Sequence, residues 1–262
     1  MNGIAAVARF DSYPHLPDAV RDDTLVRIEA DPGVLHGAWT TEGGYALASA
    51  DSYGGDPCWL NVIGTPAVAS ALVEAAMAEL GEACCGLTVP RGVDIERWIG
   101  PGQEPDAWDL MRCDQAPPTQ AAEHRVTVLT DLATVQAFLD RVNPHHSVRA
   151  EHREVELWMG VADEADGALL AVGAFTRRPS GAAYLASIAT AEPARGQGLG
   201  AAVTAALTRY AFASGDVLCT LAHYHPNEPA RRVYQRLGYQ TTHQNHSHTL
   251  PRPASAADRT DA

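Results

Sequence analysis

The sequence predicts an α/β protein of two related domains, each a mixed, largely antiparallel sheet flanked by helices. Three observations predict it. Strand-like and helix-like segments succeed one another through the second half of the chain. A fragment of the same succession occurs in the first half, and Pro- and Gly-rich stretches lie between the two halves.

In the first half, strands are expected over residues 44–50, 59–63 and 85–89, with a helix over 66–80 between the second and third. Regular periodicity breaks at 100–105 and again at 114–123, and the second break reads as an interdomain linker. The expected domains are therefore 1–115, a linker at 116–123, and 124–250, followed by a disordered tail at 251–262 rich in small and polar residues.

In the second half, residues 125–129 alternate like a strand. Asp131 can cap the next helix, which places Leu132, Val135, Leu139 and Val142 on one face and should stop near Asn143-Pro144. Residues 156–162 and 169–175 read as a hairpin about a turn at 163–167, and 184–190 as a further strand. A glycine-rich turn leads into an alanine-rich helix at 200–212. A strand at 217–222 and a helix at 230–237 complete the order β-α-β-β-β-α-β-α.

With 46% hydrophobic and 19% charged residues, the 262-residue chain has the apolar material for buried cores. Its net charge is −13 and it contains no lysine, so no basic stripe is available for phosphate backbones and nucleic acid is not expected as a partner. An acidic surface favours the approach of a cationic amine. The odd count of five cysteines, with no C-x-x-C pair, indicates neither a disulfide framework nor a zinc site, and points to the cytoplasm. The first ten residues meet Asp11 too early for a signal-peptide core, and no apolar run reaches the roughly 20 residues of a membrane span, so no membrane association is expected.

The chemistry-bearing motif is Arg195-Gly196-Gln197-Gly198-Leu199-Gly200, between a strand and a helix. Its glycines allow positive φ and close backbone approach, and its free N–H groups join the positive end of the helix dipole, which suits a phosphate or pyrophosphate. A purely structural tight turn would use the same residues. The P-loop is excluded, because Ala201-Ala202 stand where Lys-Ser/Thr is needed; the dinucleotide fingerprint is excluded, because Val203 occupies its third glycine position.

The motif resembles the first signature of the GNAT superfamily of N-acetyltransferases, Arg/Gln-x-x-Gly-x-Gly/Ala. A second GNAT signature, Asn-x-x-Ala-x-x-x-Tyr-x-x-Leu-Gly-Phe/Tyr, is matched at every fixed position by Asn227, Ala230, Tyr234, Leu237, Gly238 and Tyr239. The resemblance covers residues 124–250. The first half matches only in outline, as in tandem members such as mycothiol synthase. It has Gly64-Thr65-Pro66 before its helix in place of the glycine turn, and reads as a degenerate GNAT-like domain.

The resemblance implies acetyl-CoA as co-substrate. Its pantetheine arm would lie along Ile188, Ala189 and Thr190, and its pyrophosphate on Arg195, Gly196, Gln197, Gly198, Leu199, Gly200 and Ala201, with Asn227 contacting the coenzyme or ordering its bend. An amine would attack the thioester directly. Tyr234 stands where relatives place a general acid near the sulfur, with packing on the helix as the plain alternative. The carboxylate base frequent in relatives is missing from residues 184–188, which leaves His223 and His225 as candidates, or as loop histidines without a chemical role. Residues 143–147 fall where relatives line the acceptor pocket. His243, His246 and His248 lack an acidic or cysteine companion, and no metal is expected there. The expected acceptor is the primary amine of a small molecule, with oligomeric state open. The alternative is a non-catalytic acyl-CoA-binding sensor module.

Overall fold

The computed structural model describes residues 6–51 and 55–251. The chain divides into two compact units, residues 1–108 with 243–262, and residues 109–242.

The elements of the first half are β1 (Ala8–Phe10), α1 (Asp18–Arg21), α2 (Thr24–Glu29), β2 (Leu35–Thr41), β3 (Gly44–Asp51), β4 (Gly55–Gly64), α3 (Pro66–Leu80), β5 (Cys84–Pro90), α4 (Glu96–Ile99) and β6 (Asp106–Cys113). The second half follows with β7 (Thr127–Leu129), α5 (Leu132–Val142), β8 (Val155–Ala162), β9 (Leu169–Arg177), β10 (Ala183–Thr190), α6 (Leu199–Ala213), β11 (Cys219–Tyr224), α7 (Glu228–Arg236) and β12 (Gln240–Thr249).

In the first unit β1 to β4 pair antiparallel in sequence order, β4 and β5 run parallel around α3, and residues 245–249 of β12 pair antiparallel with β5. Leu60, Val62, Leu72, Leu87 and Val89 form the core between this sheet and α3. The parallel step follows from the helix crossover, since a tight turn can join only antiparallel strands. Asp23 caps α2 by accepting from the N–H groups of Leu25 and Val26, and its other carboxylate oxygen lies 3.2 Å from His243 Nε2 on β12.

The second unit repeats the plan. β7, β8, β9 and β10 are antiparallel neighbours, β11 runs parallel to β10 after the α6 crossover, and residues 109–113 of β6 stand beside β11. Phe175, Leu185, Val203, Leu207, Leu221 and Tyr239 pack between sheet and α6. Asp131 caps α5 as expected, accepting from Thr134 N–H, although the buried face of α5 is Val135, Phe138 and Leu139, with Leu132 and Val142 only half-buried.

Each unit is thus a mixed, largely antiparallel sheet flanked by helices. The observed units differ from the expected domain boundaries at two places. Residues 116–123, which read as a linker, lie inside the second unit. There Arg209 of α6 donates to the Pro117 carbonyl and to Glu123 Oε1, both at 2.6 Å. Residues 243–250 belong to the first unit, because β12 pairs with β5 over Gly86 to Pro90. Strand pairing is non-local, so hydrophobic periodicity cannot assign a strand to a sheet. The tail expected at 251–262 lies outside the described residues beyond Pro251. All five cysteines are buried free thiols.

Candidate active site

The parallel ladder between β10 and β11 is short. Ala183, Tyr184 and Leu185 pair with Cys219, Thr220 and Leu221, and from Ala186 onward the β11-facing edge of β10 leaves the ladder. On its other side β10 slips against β9 at a bulge between Ala186 and Ala189. Bulges bend and twist a strand locally. Residues 188–190 thus lie beyond the ladder with β11, while Ala189 and Thr190 stay in register with Val172 and Ala171 of β9.

The glycine turn follows at the end of β10. Gly196 and Gly198 adopt φ of +78° and +75°, conformations that side chains resist. Gly198 is the N-cap of the 15-residue α6 and supplies no side-chain cap, so the first N–H groups of the helix face outward at the positive end of its dipole. Gly200 sits where a Cβ would come within 3.0 Å of Thr190 Oγ1, which keeps strand end and helix start in close contact.

A cavity of about 590 Å³ opens on this edge. It is lined by Ile188, Ala189, Thr190, Ala194, Arg195, Gly196, Gly198, Leu199, Gly200, Ala201 and Thr204, by Val142 and Asn143 at the end of α5, and by Asn227, Pro229, Ala230, Val233, Tyr234 and Arg236 around α7. Its charged lining residues are Arg195 and Arg236, with no carboxylate among them. In a chain of net charge −13 this is a local cationic site, suited to an anion.

Asn227 caps α7 by accepting from Ala230 N–H at 3.2 Å, which fixes the helix start at the cavity edge. Tyr234 is 7% exposed, and its ring lies 6.2 Å from that of Tyr239 and 6.1 Å from that of His223. Burial pushes the Tyr234 phenol up to about 12, so it is a protonated donor throughout the neutral range.

Three of the expected site residues are not among those lining the cavity: Gln197, His223 and His225. Gln197 turns back to donate to the Pro193 carbonyl at 3.4 Å, because a turn that presents backbone N–H groups to a ligand points its side chains elsewhere. His223 is 7% exposed, with Nδ1 bonded to the Tyr224 carbonyl at 2.9 Å and a buried Nε2 that has no hydrogen-bond partner among the described residues. The carbonyl only accepts, so Nδ1 is the donor in this bond. His225 is about half exposed and stands 3.8 Å from Asp109 Oδ1 of β6, a carboxylate only 3% exposed. Sequence reasoning missed Asp109 because it falls in the half assigned to the other domain.

Of residues 143–147, Asn143 reaches the cavity. His146 instead bonds Gln136 at 3.1 Å. On β12, His243 meets Asp23, and His248 Nδ1 meets the Thr249 carbonyl.

The sheet, its opened parallel pair and the glycine turn at a helix N-terminus define an acyltransferase-type α/β domain. Residues 123–239 match the family model described as the acetyltransferase (GNAT) family, so the second unit carries a GNAT acetyltransferase domain and the chain is an enzyme of that transferase class. Among curated proteins nothing matches. Several solved structures share the fold. A protein of the GNAT acetyltransferase family from Novosphingobium aromaticivorans is 20% identical at a TM-score of 0.54, over 80% of this chain and 89% of its own. A GCN5-related N-acetyltransferase from Sphaerobacter thermophilus is 14% identical at 0.53, over 83% and 81%. A Drosophila protein is 18% identical at 0.56, over 82% and 79%.

Proposed function

We propose that this acetyltransferase takes its acetyl group from acetyl-CoA and transfers it directly to the primary amine of a small molecule. The observation that carries the reading is the cavity itself. It combines a strand edge beyond its parallel ladder, a left-handed glycine turn at an uncapped helix N-terminus, two arginines and no carboxylate. A long ligand with a polar amide-bearing arm and an anionic pyrophosphate matches that sequence of features.

In this reading the arm runs along Ile188, Ala189 and Thr190, and the pyrophosphate accepts from the N–H groups of the turn, with Arg195 and Arg236 balancing its charge. The amine nitrogen attacks the thioester carbonyl carbon. Negative charge gathers on the carbonyl oxygen, where a backbone N–H of the bulged strand can stabilise it. The C–S bond then breaks, and the departing thiolate takes the Tyr234 hydroxyl proton. The proton lost by the amine passes, directly or through water, to a histidine at the end of β11, His223 or His225. Asn227 holds the start of α7 and hence the position of Tyr234.

The test is release of free thiol from acetyl-CoA across a panel of small amines. Amine-dependent release with stoichiometric N-acetyl product supports the reading. Tight acetyl-CoA binding with no release on any amine would favour the acyl-CoA sensor instead.

A further inference from the structure

Among the described residues, Ser187 is the one non-glycine residue with positive φ, at +50°. It occupies the β10 bulge, where Gly or Asn would adopt the same conformation with less strain. A serine in this place therefore calls for a reason in its side chain.

The side chain supplies one. Ser187 is 8% exposed, and its hydroxyl makes two hydrogen bonds to a single residue, accepting from Val148 N–H at 3.1 Å and donating to the Val148 carbonyl at 3.0 Å. Val148 is 1% exposed and lies in the irregular stretch after α5. Further along that stretch, Ala150 is held at both backbone groups, its N–H donating to Gln136 Oε1 at 2.8 Å and its carbonyl accepting from Trp158 Nε1 at 3.0 Å. At its start are Val142 and Asn143, which line the same cavity as Ile188, Ala189 and Thr190. The hydroxyl thus ties the bulge to the chain segment whose first residues line that cavity. A bland account, in which the hydroxyl merely satisfies a buried loop amide, predicts that only stability depends on it.

We propose that Ser187 is a positioning residue that latches the segment after α5 onto the bulged strand and so fixes the width of the cavity where the acyl-bearing arm lies. The proposal rests on the acetyl-CoA reading given above, and it adds a residue that neither GNAT signature contains.

Two variants separate backbone from hydroxyl. Ser187→Gly relieves the φ strain and removes the hydroxyl, whereas Ser187→Ala keeps the strain and removes the hydroxyl. Both should weaken acetyl-CoA binding about tenfold, the scale of one to two net hydrogen bonds. By displacement titration, both should leave the affinity for 3′-phosphoadenosine 5′-diphosphate, the same nucleotide without its arm, within about twofold of wild type. Acetyl-CoA affinity of Ser187→Gly within twofold of wild type overturns the latch, as does an equal loss for both ligands, which marks a merely structural role. Failure of the wild type to bind acetyl-CoA sinks the donor reading instead. Amide exchange at Val148 distinguishes the two failures, because the latch requires it to quicken in both variants whatever binds in the cavity.

Discussion

Tyr234 carries the sharpest residue-level consequence. Its phenol is raised to about 12 by burial, so it remains a proton donor well into alkaline solution. Any fall in rate below about pH 10 must then come from another group, since an acid with a raised pKa is lost only as pH climbs to that value. Tyr234→Phe should lower kcat by about 10²–10⁴-fold, the usual worth of a general acid, and leave acetyl-CoA affinity within about twofold. An unchanged kcat in steady-state thiol release would remove Tyr234 from the mechanism. At this scale the sequence was informative where a motif fixes spacing. Arg195, Gly198, Gly200, Asn227 and Tyr234 all reach one cavity. It was silent on Ser187 and Asp109, whose neighbours are distant in the chain and become visible only once strands pair.

At the scale of elements, helix crossovers and hairpins were legible because their apolar periods are local. α3 matches its expected bounds at Pro66 and Leu80, and β8 and β9 fall within two residues of expectation. β11 begins at Cys219, two residues later than expected, because Val217 is 73% exposed and stands before the sheet. β12 was expected only as a last strand near His243, His246 and His248, without bounds or partner: Gln240 to Thr249 is a polar run whose partner, β5, lies far back in the chain. One of its ties is testable. Burial alone would raise the Asp23 carboxyl, but hydrogen bonds from His243, Tyr45 and Leu25 N–H outweigh it and hold the group below the usual carboxylate range. A depressed folded value means that this stabilisation is complete above about pH 4 and is lost as pH falls through the folded value. Asp23→Asn keeps an N-cap but not the charge, and should destabilise the protein by about 1–3 kcal/mol at neutral pH. Chemical denaturation at pH 7 and pH 3 checks this: the gap between variant and wild type should narrow at the lower pH. A constant gap contradicts the assignment.

Across the whole molecule, the two units share a topology but not a turn. Gly64-Thr65-Pro66 opens α3 where the second unit has its glycines, and Pro66 at the first helical position removes an N–H that an anion would need. One acetyl-CoA per chain is therefore expected. The net charge of −13 bears on the acceptor rather than the donor. A cationic amine is drawn by long-range attraction, and its KM should rise several-fold as salt is raised from about 0.02 to 0.2 M, over which the screening length shortens from about 20 Å to about 7 Å. A KM indifferent to salt would assign recognition to short-range contacts alone.

The central claim is that the glycine turn and the opened strand form an acetyl-CoA site, and calorimetric titration with acetyl-CoA tests it most directly, with Gly198→Glu measured in parallel. That variant forces a side chain into a left-handed position, at φ +75°, and places a negative charge at the helix N-terminus. The account predicts saturable binding by the wild type at one per chain and none by the variant. Equal affinity in the two proteins, or no heat of binding in either, would contradict it.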